Sequence, residues 1–401
     1  MSRFNKHCDR WIDISITILS VLGIVMVTSA SVNQSGAKNG LGAVGDMLKQ
    51  ILFFVSGLVL TIGFRNIFKT NLLKKRFLFV VYGLILGAMV ACRLFFEDIN
   101  GAYGWIHLFG SFTLQPSEFA KILVMLILAY YMVDVVYAIQ VSPNLSFERK
   151  TEMLKRKKMK CLYEPILACL VIIFVCIFVQ KDFGTGAILL GISLVCFFTA
   201  TNQFYKPYQK RLFTLICIGG VVVILAFPLV LKMFDGYQQG RFASWLNPLI
   251  DPTNTSFHQA NGLIAFSNGL IGRGLGNSTQ KFGYIPEATS DYISAIIFEE
   301  LGLLGLLLII VPFTVIIWRM FYYAYRVKDV KAKIILSGIG TYFFLHLFLN
   351  LGGVTCLIPL TGIPLLCVSA GGSSTWAAFI AIGIAQALIK QYHKEITTQT
   401  H

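Results

Sequence analysis

Long apolar runs separated by short polar segments dominate the chain. Ten runs are long enough to cross the roughly 30 Å of hydrocarbon in a lipid bilayer. They fall near residues 11–31, 50–64, 77–95, 117–138, 164–180, 185–201, 212–231, 292–318, 334–351 and 373–389. The pattern predicts an all-α, polytopic integral membrane protein with about ten transmembrane helices, forming one membrane domain over residues 1–401.

The composition supports a membrane protein. Of the 401 residues, 56% are hydrophobic and only 13% are charged, whereas a soluble domain carries about a quarter charged residues. The net charge of +15 lies in short clusters between the apolar runs, which is typical of membrane loops, and we expect no nucleic-acid partner. The nine cysteines contain no CxxC pair, so neither a disulfide framework nor a zinc site is predicted.

Lysine and arginine set the predicted orientation. If the N-terminus is cytoplasmic, the cytoplasmic segments hold 25 of the 34 lysine and arginine residues. Those segments are the two tails, 65–76, 139–163, 202–211 and 319–333. Because cytoplasmic loops are enriched in these residues, both termini are predicted to be cytoplasmic. The lysine-rich stretch from Lys150 to Lys160 is interpreted as a solvated cytoplasmic loop near the lipid.

The longest outer segment, 232–291, is predicted to be a large extracytoplasmic loop before the eighth span. Loops of more than about fifteen residues are usually functional or disordered. This one contains several aromatic residues, so we expect it to fold back against the outer membrane face. Weak amphipathicity around 256–268 suggests a helix that lies in the membrane interface.

Acidic residues at the outer ends of the predicted spans are candidates for function, because a carboxylate near hydrocarbon is costly. Glu118 and Lys121 are three residues apart on one helix face and can pair. The alternative is an ordinary helix start, with Ser117 as its N-cap and Glu118 answering the helix dipole. Asp182 lies in a tight turn between spans five and six, where it is either functional or simply a turn residue.

Two further acidic positions lie at and within the eighth span. Asp291 meets the membrane at the start of that span, where a partly dry carboxylate could act as general base toward a sugar hydroxyl. The competing interpretation is an N-cap aspartate. Glu299 and Glu300 lie about two turns further in, so at least one must be paired or protonated. A structural bridge to a neighbouring helix is the default interpretation of that pair.

Glycines and serines give two weaker signals. The glycine-rich segment 269–276 follows no strand, so a Rossmann site is excluded. Its backbone amides could contact a pyrophosphate, with Arg273 and Lys281 supplying charge, or it could be a surface turn. Ser373 and Ser374 follow two glycines and form either an N-cap or part of a cleft floor.

Together these residues predict an outward-facing cleft that contains Glu118, Lys121, Asp182 and Asp291. Such a cleft suits an enzyme acting on a lipid-linked polar substrate, and it equally suits a transporter. Physical reasoning on the residues alone does not choose between the two.

At these residues the chain resembles the SEDS family (shape, elongation, division and sporulation proteins), whose branches are named after FtsW, RodA and SpoVE. The resemblance covers nearly the whole chain. The matching segments read QPSEFAK at 115–121, DFGT at 182–185, YIPEA at 284–288 followed by Asp291, EELG at 299–302, IPLTGIPL at 358–365 and GGSS at 371–374.

The resemblance implies a peptidoglycan glycosyltransferase that polymerises lipid II on the outer membrane face beside a class B penicillin-binding protein. The catalytic aspartate of the family falls on Asp291, which would deprotonate the acceptor 4-hydroxyl in an inverting transfer. Glu118, Lys121 and Asp182 fall on other cleft positions of the family, and Glu287 lies in the same motif as Asp291. The pyrophosphate leaving group would be stabilised by lysine or arginine side chains or by a divalent cation, Mg²⁺ or Mn²⁺.

Within the family, Gln280 and Lys281 before the YIPEA segment resemble the FtsW branch, which implies division and a septal location. A RodA-like elongation polymerase, a sporulation form, a lipid II transporter and a non-catalytic scaffold stay open. The chain departs from the family at Gly104, Ala370 and Ser294, where an arginine, a tyrosine and a phenylalanine are usual. These departures concern contacts with the substrate and not the fold.

Overall fold

The computed structural model describes residues 8–34, 40–99, 101–108, 112–135, 146–225, 240, 244–249, 256–282, 285 and 287–399. Several predictions fall partly outside these residues. They concern the first part of the segment 139–163, the end of the seventh span, much of the loop 232–291, and Tyr284 and Pro286 of the YIPEA segment.

The described residues are mainly helical. The helices are α1 (Arg10–Gln34), α2 (Gly40–Ile67), α3 (Lys75–Phe95), α4 (Pro116–Tyr130), α5 (Phe147–Phe174), α6 (Phe183–Thr199), α7 (Lys206–Leu225), α8 (Phe257–Asn268), α9 (Ile293–Arg326), α10 (Val330–Val354) and α11 (Gly372–Gln399). Helices α4 and α5 each continue into a π-helical turn, Tyr131–Val135 and Val175–Val179. A short 3₁₀ helix, Thr70–Leu72, precedes α3. A small antiparallel hairpin pairs β1 (Ile106–His107) with β2 (Thr113–Leu114), with Ile106 opposite Leu114.

These helices confirm the prediction of an all-α polytopic membrane protein. Within the described ranges, 8 helices are long and apolar enough to cross a membrane, and α6 is a shorter apolar helix. The ten predicted spans fall on α1 to α7 and α9 to α11, with the end of the seventh outside the described residues. The remaining helix, α8, coincides with the helix predicted around 256–268.

The prediction of a loop over 139–163 is wrong from residue 147 onward, because α5 begins at Phe147. Lysine, arginine, glutamate, methionine and leucine make up most of this stretch, and all five are good helix formers. The apolar pattern predicts only the membrane-crossing part of α5, which begins near residue 164. The basic residues belong to the same helix, in its first half.

Helix α10 lies at the centre of the bundle, where it contacts α4, α6 and α9. Small residues permit this close packing. A methyl group on Gly338 would lie 2.8 Å from both Met125 of α4 and Cys196 of α6. Because helices in lipid associate through close packing, glycine at such a crossing brings three helices together.

Helix α9 is interrupted at Gly302, which has φ 64° and ψ −147°. These angles are accessible essentially only to glycine. The backbone of Ile271 and Gly272 packs against this point, within 2.6 to 2.8 Å of where a side chain on Gly302 would begin. The segment after α8 therefore folds back onto the bundle at the break in α9.

The two ends of the bundle carry different polar clusters. At one end, the start of α4 and the start of α11 meet, since the backbone N–H of Gln115 donates to Ser373 Oγ at 3.2 Å. At the other end, Asp9 before α1 forms an ion pair with Arg319 of α9 and exchanges backbone hydrogen bonds with Gln386 of α11 at 2.9 and 2.8 Å. The start of α1 therefore lies beside the distal halves of α9 and α11.

Candidate active site

Asp291 lies in a turn immediately before α9 and is half-buried. Its backbone carbonyl accepts a 2.8 Å hydrogen bond from Asn350 Nδ2 of α10. On the side-chain side, Ser290 Oγ lies 2.6 Å from Glu287 Oε2 and 3.3 Å from Asp291 Oδ1. The Ser290 hydroxyl thus lies between the two carboxylates, just before the start of α9.

The residues Thr361 to Pro364, here called the 361–364 segment, pass beside the Asp291 side chain. Gly362 has φ +68°, and a Cβ at that position would lie 3.8 Å from Asp291 Oδ2. The left-handed conformation favours glycine, and the missing side chain leaves one flank of the carboxylate open. The next carbonyl, that of Ile363, accepts a 2.8 Å hydrogen bond from Asn350 Nδ2.

Glu118 and Lys121 form a buried ion pair inside α4. Lys121 Nζ lies 2.6 Å from Glu118 Oε1, and both side chains are 1% exposed. Lys121 Nζ also lies 3.1 Å from His346 Nε2 of α10. Glu118 Oε2 has no hydrogen bond of good geometry among the described residues, and the nearby Tyr342 hydroxyl interacts with this carboxylate. The predicted pairing is therefore confirmed, and it lies within the bundle and not on its surface.

His346 connects this ion pair to the 361–364 segment. Its Nδ1 lies 3.0 Å from the carbonyl oxygen of Pro364. A carbonyl only accepts and an ammonium only donates. Nδ1 therefore carries the proton and Nε2 accepts from Lys121, which assigns one neutral tautomer of the ring.

Asp182 caps the start of α6 and also reaches α4. Its Oδ1 accepts from the backbone N–H of Thr185 at 2.9 Å, and its Oδ2 accepts from Gln115 Nε2 at 3.0 Å. The start of α6 contacts the 361–364 segment, because a methyl group on Gly184 would lie 2.7 Å from the carbonyl oxygen of Thr361. Asp182 is thus the N-cap of α6, a more specific role than the turn residue of the simpler interpretation, and it lies at the same end of the bundle as Asp291.

The two candidate serines lie at the start of α11 and are buried. Ser373 Oγ accepts from Gln115, as described above, and Ser374 Oγ donates to the carbonyl of Gly371 at 3.2 Å. Just before them, Ser369 Oγ donates to the carbonyl of Ser290 at 2.6 Å, and the Ala370 N–H donates to the carbonyl of Thr289 at 2.8 Å. Residues 369 and 370, just before α11, are therefore hydrogen-bonded to the turn that carries Asp291.

Arg273 and Lys281 contact a different pair of carboxylates. Lys281 Nζ lies 2.8 Å from Glu300 Oε1, and Lys281 is 1% exposed. Arg273 Nη1 lies 3.8 Å from Glu299 Oε1, and its side chain is 37% exposed. Arg273 thus keeps a solvent-facing surface that Lys281 lacks.

The Glu299 and Glu300 carboxylates accept hydrogen bonds from backbone N–H groups in and just after the glycine-rich segment 269–276. Glu299 accepts from the N–H groups of Thr279 and Gln280 at 3.1 and 3.2 Å. Glu300 accepts from the N–H of Gly276 at 3.0 Å and from Ser29 Oγ of α1 at 2.8 and 2.9 Å. The predicted structural bridge to a neighbouring helix is confirmed. Within the segment 269–276, the N–H groups of Arg273 and Gly274 donate to the backbone carbonyls of Glu299 and Glu300 at 2.9 Å, and that of Gly276 donates to the Glu300 carboxylate. These three amides are therefore occupied within the protein, and the pyrophosphate contact stays a prediction.

Sequence reasoning missed three residues that hold the site together, namely Gln115, His346 and Asn350. His346 and Asn350 belong to no matched motif and lie inside the apolar run 334–351. A signal was present, since polar side chains inside a span are rare and usually find partners. Their spacing of four residues also places them on one helix face.

Comparison with known proteins adds a family and a fold. Residues 10–394 match the model of the cell cycle protein family of FtsW, RodA and SpoVE. Enterococcus hirae has a similar protein named probable peptidoglycan glycosyltransferase FtsW, 31% identical over 391 residues, covering 95% of this chain and 92% of that protein. Stage V sporulation protein E of Bacillus subtilis is 34% identical over 286 residues, covering 71% of this chain and 70% of that protein.

Two solved structures share the fold. A chain from a peptidoglycan synthase complex, described as coordinating polymerization and crosslinking, superposes with a TM-score of 0.72 at 20% identity, covering 97% of this chain and 99% of that one. The rod shape determining protein RodA of Thermus thermophilus superposes with a TM-score of 0.60 at 18% identity and the same coverage. Identities this low establish the fold alone.

Proposed function

The chain belongs to the FtsW, RodA and SpoVE family of cell cycle proteins, and on that premise we propose that it is a peptidoglycan glycosyltransferase that polymerises lipid II. The observation that carries the proposal is the convergence on one short segment. Asp291, the Glu118–Lys121 pair and the start of α6 all reach the 361–364 segment at one end of the bundle. An ordinary N-cap aspartate would not need this surrounding set of buried polar groups.

In the proposed reaction, Asp291 is the general base. Its carboxylate takes the proton from the 4-hydroxyl of the acceptor sugar as that oxygen attacks the anomeric carbon of the donor. The new glycosidic bond forms as the bond to the lipid pyrophosphate breaks, and the pyrophosphate leaves with the electron pair, so the anomeric centre inverts. Glu287 shares Ser290 with Asp291 and would hold that hydroxyl beside the base.

The leaving pyrophosphate needs positive charge. Lys121 and Lys281 are buried and already paired, so Arg273, with its longer ion pair and exposed side chain, is the best placed of the three candidates. No group of three or more metal-ligating side chains occurs among the residues the structure describes. A Mg²⁺ or Mn²⁺ ion, if the reaction uses one, would be held mainly by the substrate phosphates, where it would supply positive charge to the leaving group.

We further propose the setting in which this enzyme works. The positive-inside bias places both termini in the cytoplasm and the Asp291 site on the outer face of the cytoplasmic membrane. A class B penicillin-binding protein is the expected partner, since a chain of the same fold occurs in a synthase complex that couples polymerization to crosslinking. Relatives named FtsW support a role in division at the septum, with elongation and sporulation as the alternatives.

The test uses the full-length protein, purified with its transpeptidase partner and supplied with labelled lipid II. We expect glycan strands from the native chain and a loss of about 100- to 10,000-fold in Asp291→Asn, the range for removal of a general base. Asp46→Asn is the matched control, because it makes the same change at an exposed aspartate that pairs with Lys49 and should leave polymerisation at the native rate.

Two outcomes would contradict the proposal. If Asp291→Asn polymerises at the native rate, Asp291 is not the base. If native protein moves lipid II across liposome membranes without making polymer, the chain is a transporter and not a polymerase.

A further inference from the structure

We propose that His346 and Asn350 of α10 are positioning residues for the transfer, which hold the 361–364 segment at a fixed distance from Asp291 and from the Glu118–Lys121 pair. The inference rests on the proposed function. Neither residue is placed in contact with substrate. Both act through the backbone and side chains that surround the base.

The two side chains donate hydrogen bonds to consecutive backbone carbonyls of the 361–364 segment. Asn350 donates to the carbonyl of Ile363 at 2.8 Å, and His346 donates to the carbonyl of Pro364 at 3.0 Å. Their spacing of four residues puts them one turn apart on one face of α10. Because both are buried, at 3% and 0% exposure, these bonds do not compete with water.

Asn350 uses every hydrogen-bonding group of its carboxamide. The Nδ2 group donates to the carbonyls of Asp291 and Ile363, both at 2.8 Å, and Oδ1 accepts from Ser294 Oγ at 2.9 Å. The Asn350 side chain therefore connects Asp291, Ser294 in the first turn of α9 and the 361–364 segment. Ser294, a position where the chain departs from its family, completes this set.

His346 joins the segment to the buried ion pair in a way that few residues can. It must donate through Nδ1 to Pro364 and accept through Nε2 from Lys121. Glutamine carries one donor and one acceptor group and can reproduce both contacts. Leucine fills a similar volume and reproduces neither, so it leaves a buried ammonium with one partner fewer.

The geometry explains why such residues matter for rate. Gly362 passes beside Asp291 Oδ2, so a shift of the segment changes the space into which the acceptor hydroxyl must fit. A misplacement of about 1 Å in a reacting geometry can cost about 100-fold in rate. Substrate binding far from the base would be affected less, because its contacts do not pass through α10.

The experiment compares His346→Leu, His346→Gln and Asn350→Leu in the full-length protein with its partner, using lipid II as substrate. We expect kcat to fall by about 10- to 100-fold in the two leucine variants with KM changed less than about threefold, the signature of lost transition-state contacts. His346→Gln should recover most of the native kcat. The matched control is Thr341→Val, which removes a buried hydroxyl bonded only within α10.

A second readout keeps the inference independent of the proposed function. Amide hydrogen exchange across residues 361–370 should become faster in His346→Leu and Asn350→Leu, and should stay native in His346→Gln and Thr341→Val. If native protein makes no polymer, the proposed function fails, and the exchange pattern still decides the positioning role. Native kcat in both leucine variants, or exchange that rises equally in Thr341→Val, would overturn the inference.

Discussion

Two buried lysine–glutamate pairs in the described part of the chain have nearly equal distances and very different surroundings. Lys121 and Glu118 are 2.6 Å apart, and Lys281 and Glu300 are 2.8 Å apart, with all four side chains almost fully buried. The first pair lies within one helix, and the second joins the segment after α8 to α9. Distance alone would assign them the same role.

The two pairs differ in the hydrogen-bond partners of their glutamates. Glu300 also accepts from two backbone amides and from the hydroxyl of Ser29, so its charge is fully hydrogen-bonded. Glu118 has one oxygen on Lys121, and in the described part of the chain its interaction with the Tyr342 hydroxyl is looser than a normal hydrogen bond. A buried charge is tolerated when it is paired and satisfied.

On the proposed function, the contrast supports a structural role for the pair at Glu300 and a place in the reaction site for the pair at Glu118. A carboxylate held by several hydrogen bonds fixes the chain around it. The location agrees with this division, since only the Glu118–Lys121 pair reaches the 361–364 segment, through His346.

The largest effect is expected for Glu300→Leu. This change removes the carboxylate that pairs with Lys281 and leaves the Ser29 hydroxyl and two backbone amides without their acceptor. Breaking a buried pair costs about 3–5 kcal/mol. Thermal unfolding of the purified protein should show a large loss of stability. The control is Glu152→Leu, in an exposed pair with Arg156, which should unfold as the native protein does. A native unfolding temperature in Glu300→Leu would break the comparison.

Glu118→Leu should act mainly on the reaction. Glu118 accepts from Lys121, and among the described residues no backbone amide donates to its side chain, whereas two donate to that of Glu300. We therefore expect a smaller loss of stability than in Glu300→Leu, together with a fall in kcat of about 100-fold. The measurement is polymerisation per folded molecule. Equal activity of the two glutamate variants, after correction for folded protein, would show that the pairs do not differ in role.

Gly362→Ala tests the open flank of Asp291. The left-handed backbone costs an alanine roughly 1–2 kcal/mol, and its methyl group would lie 3.8 Å from Asp291 Oδ2. Gly101→Ala is a matched control, since Gly101 has φ +79° and open space around it. Both variants should lose similar stability, and only Gly362→Ala should lose activity. Equal activity in the two variants would mean that the flank does not matter.

The smallest effect is expected for Arg273→Ala. Its ion pair with Glu299 is long and partly exposed, so little stability should be lost. If Arg273 contacts the pyrophosphate, KM for lipid II should rise about two- to fivefold, and the rise should shrink at high salt. Arg156→Ala, far along the exposed half of α5, should leave KM unchanged. An unaltered KM in Arg273→Ala would remove this residue from the substrate site.

The helices could be predicted from the sequence because membrane spans depend on length and apolar composition, which each run carries by itself. The pairing of Glu118 with Lys121 followed from their spacing, and a partner for Glu300 followed from the cost of a buried carboxylate. Each of these inferences needs only local information or a general penalty.

The contacts that the sequence did not predict depend on how separate helices pack against one another. Nothing near His346 in the sequence indicates that Lys121 lies beside it, because the two are 225 residues apart. Asn350 likewise serves Asp291, which is 59 residues away. The start of α5 was missed for another reason, since charged helix formers outside the membrane give no apolar signal.

The break at Gly302 has a mechanical consequence. A continuous α9 would be a rod of about 50 Å, and any rotation at its Arg319 end would be transmitted to Asp291. With the backbone interrupted at Gly302, the first ten residues of α9 are held by the chain that packs against the break. The orientation of the turn that carries Asp291 is thereby set locally, and rotation at the Arg319 end is not passed on along one continuous helix.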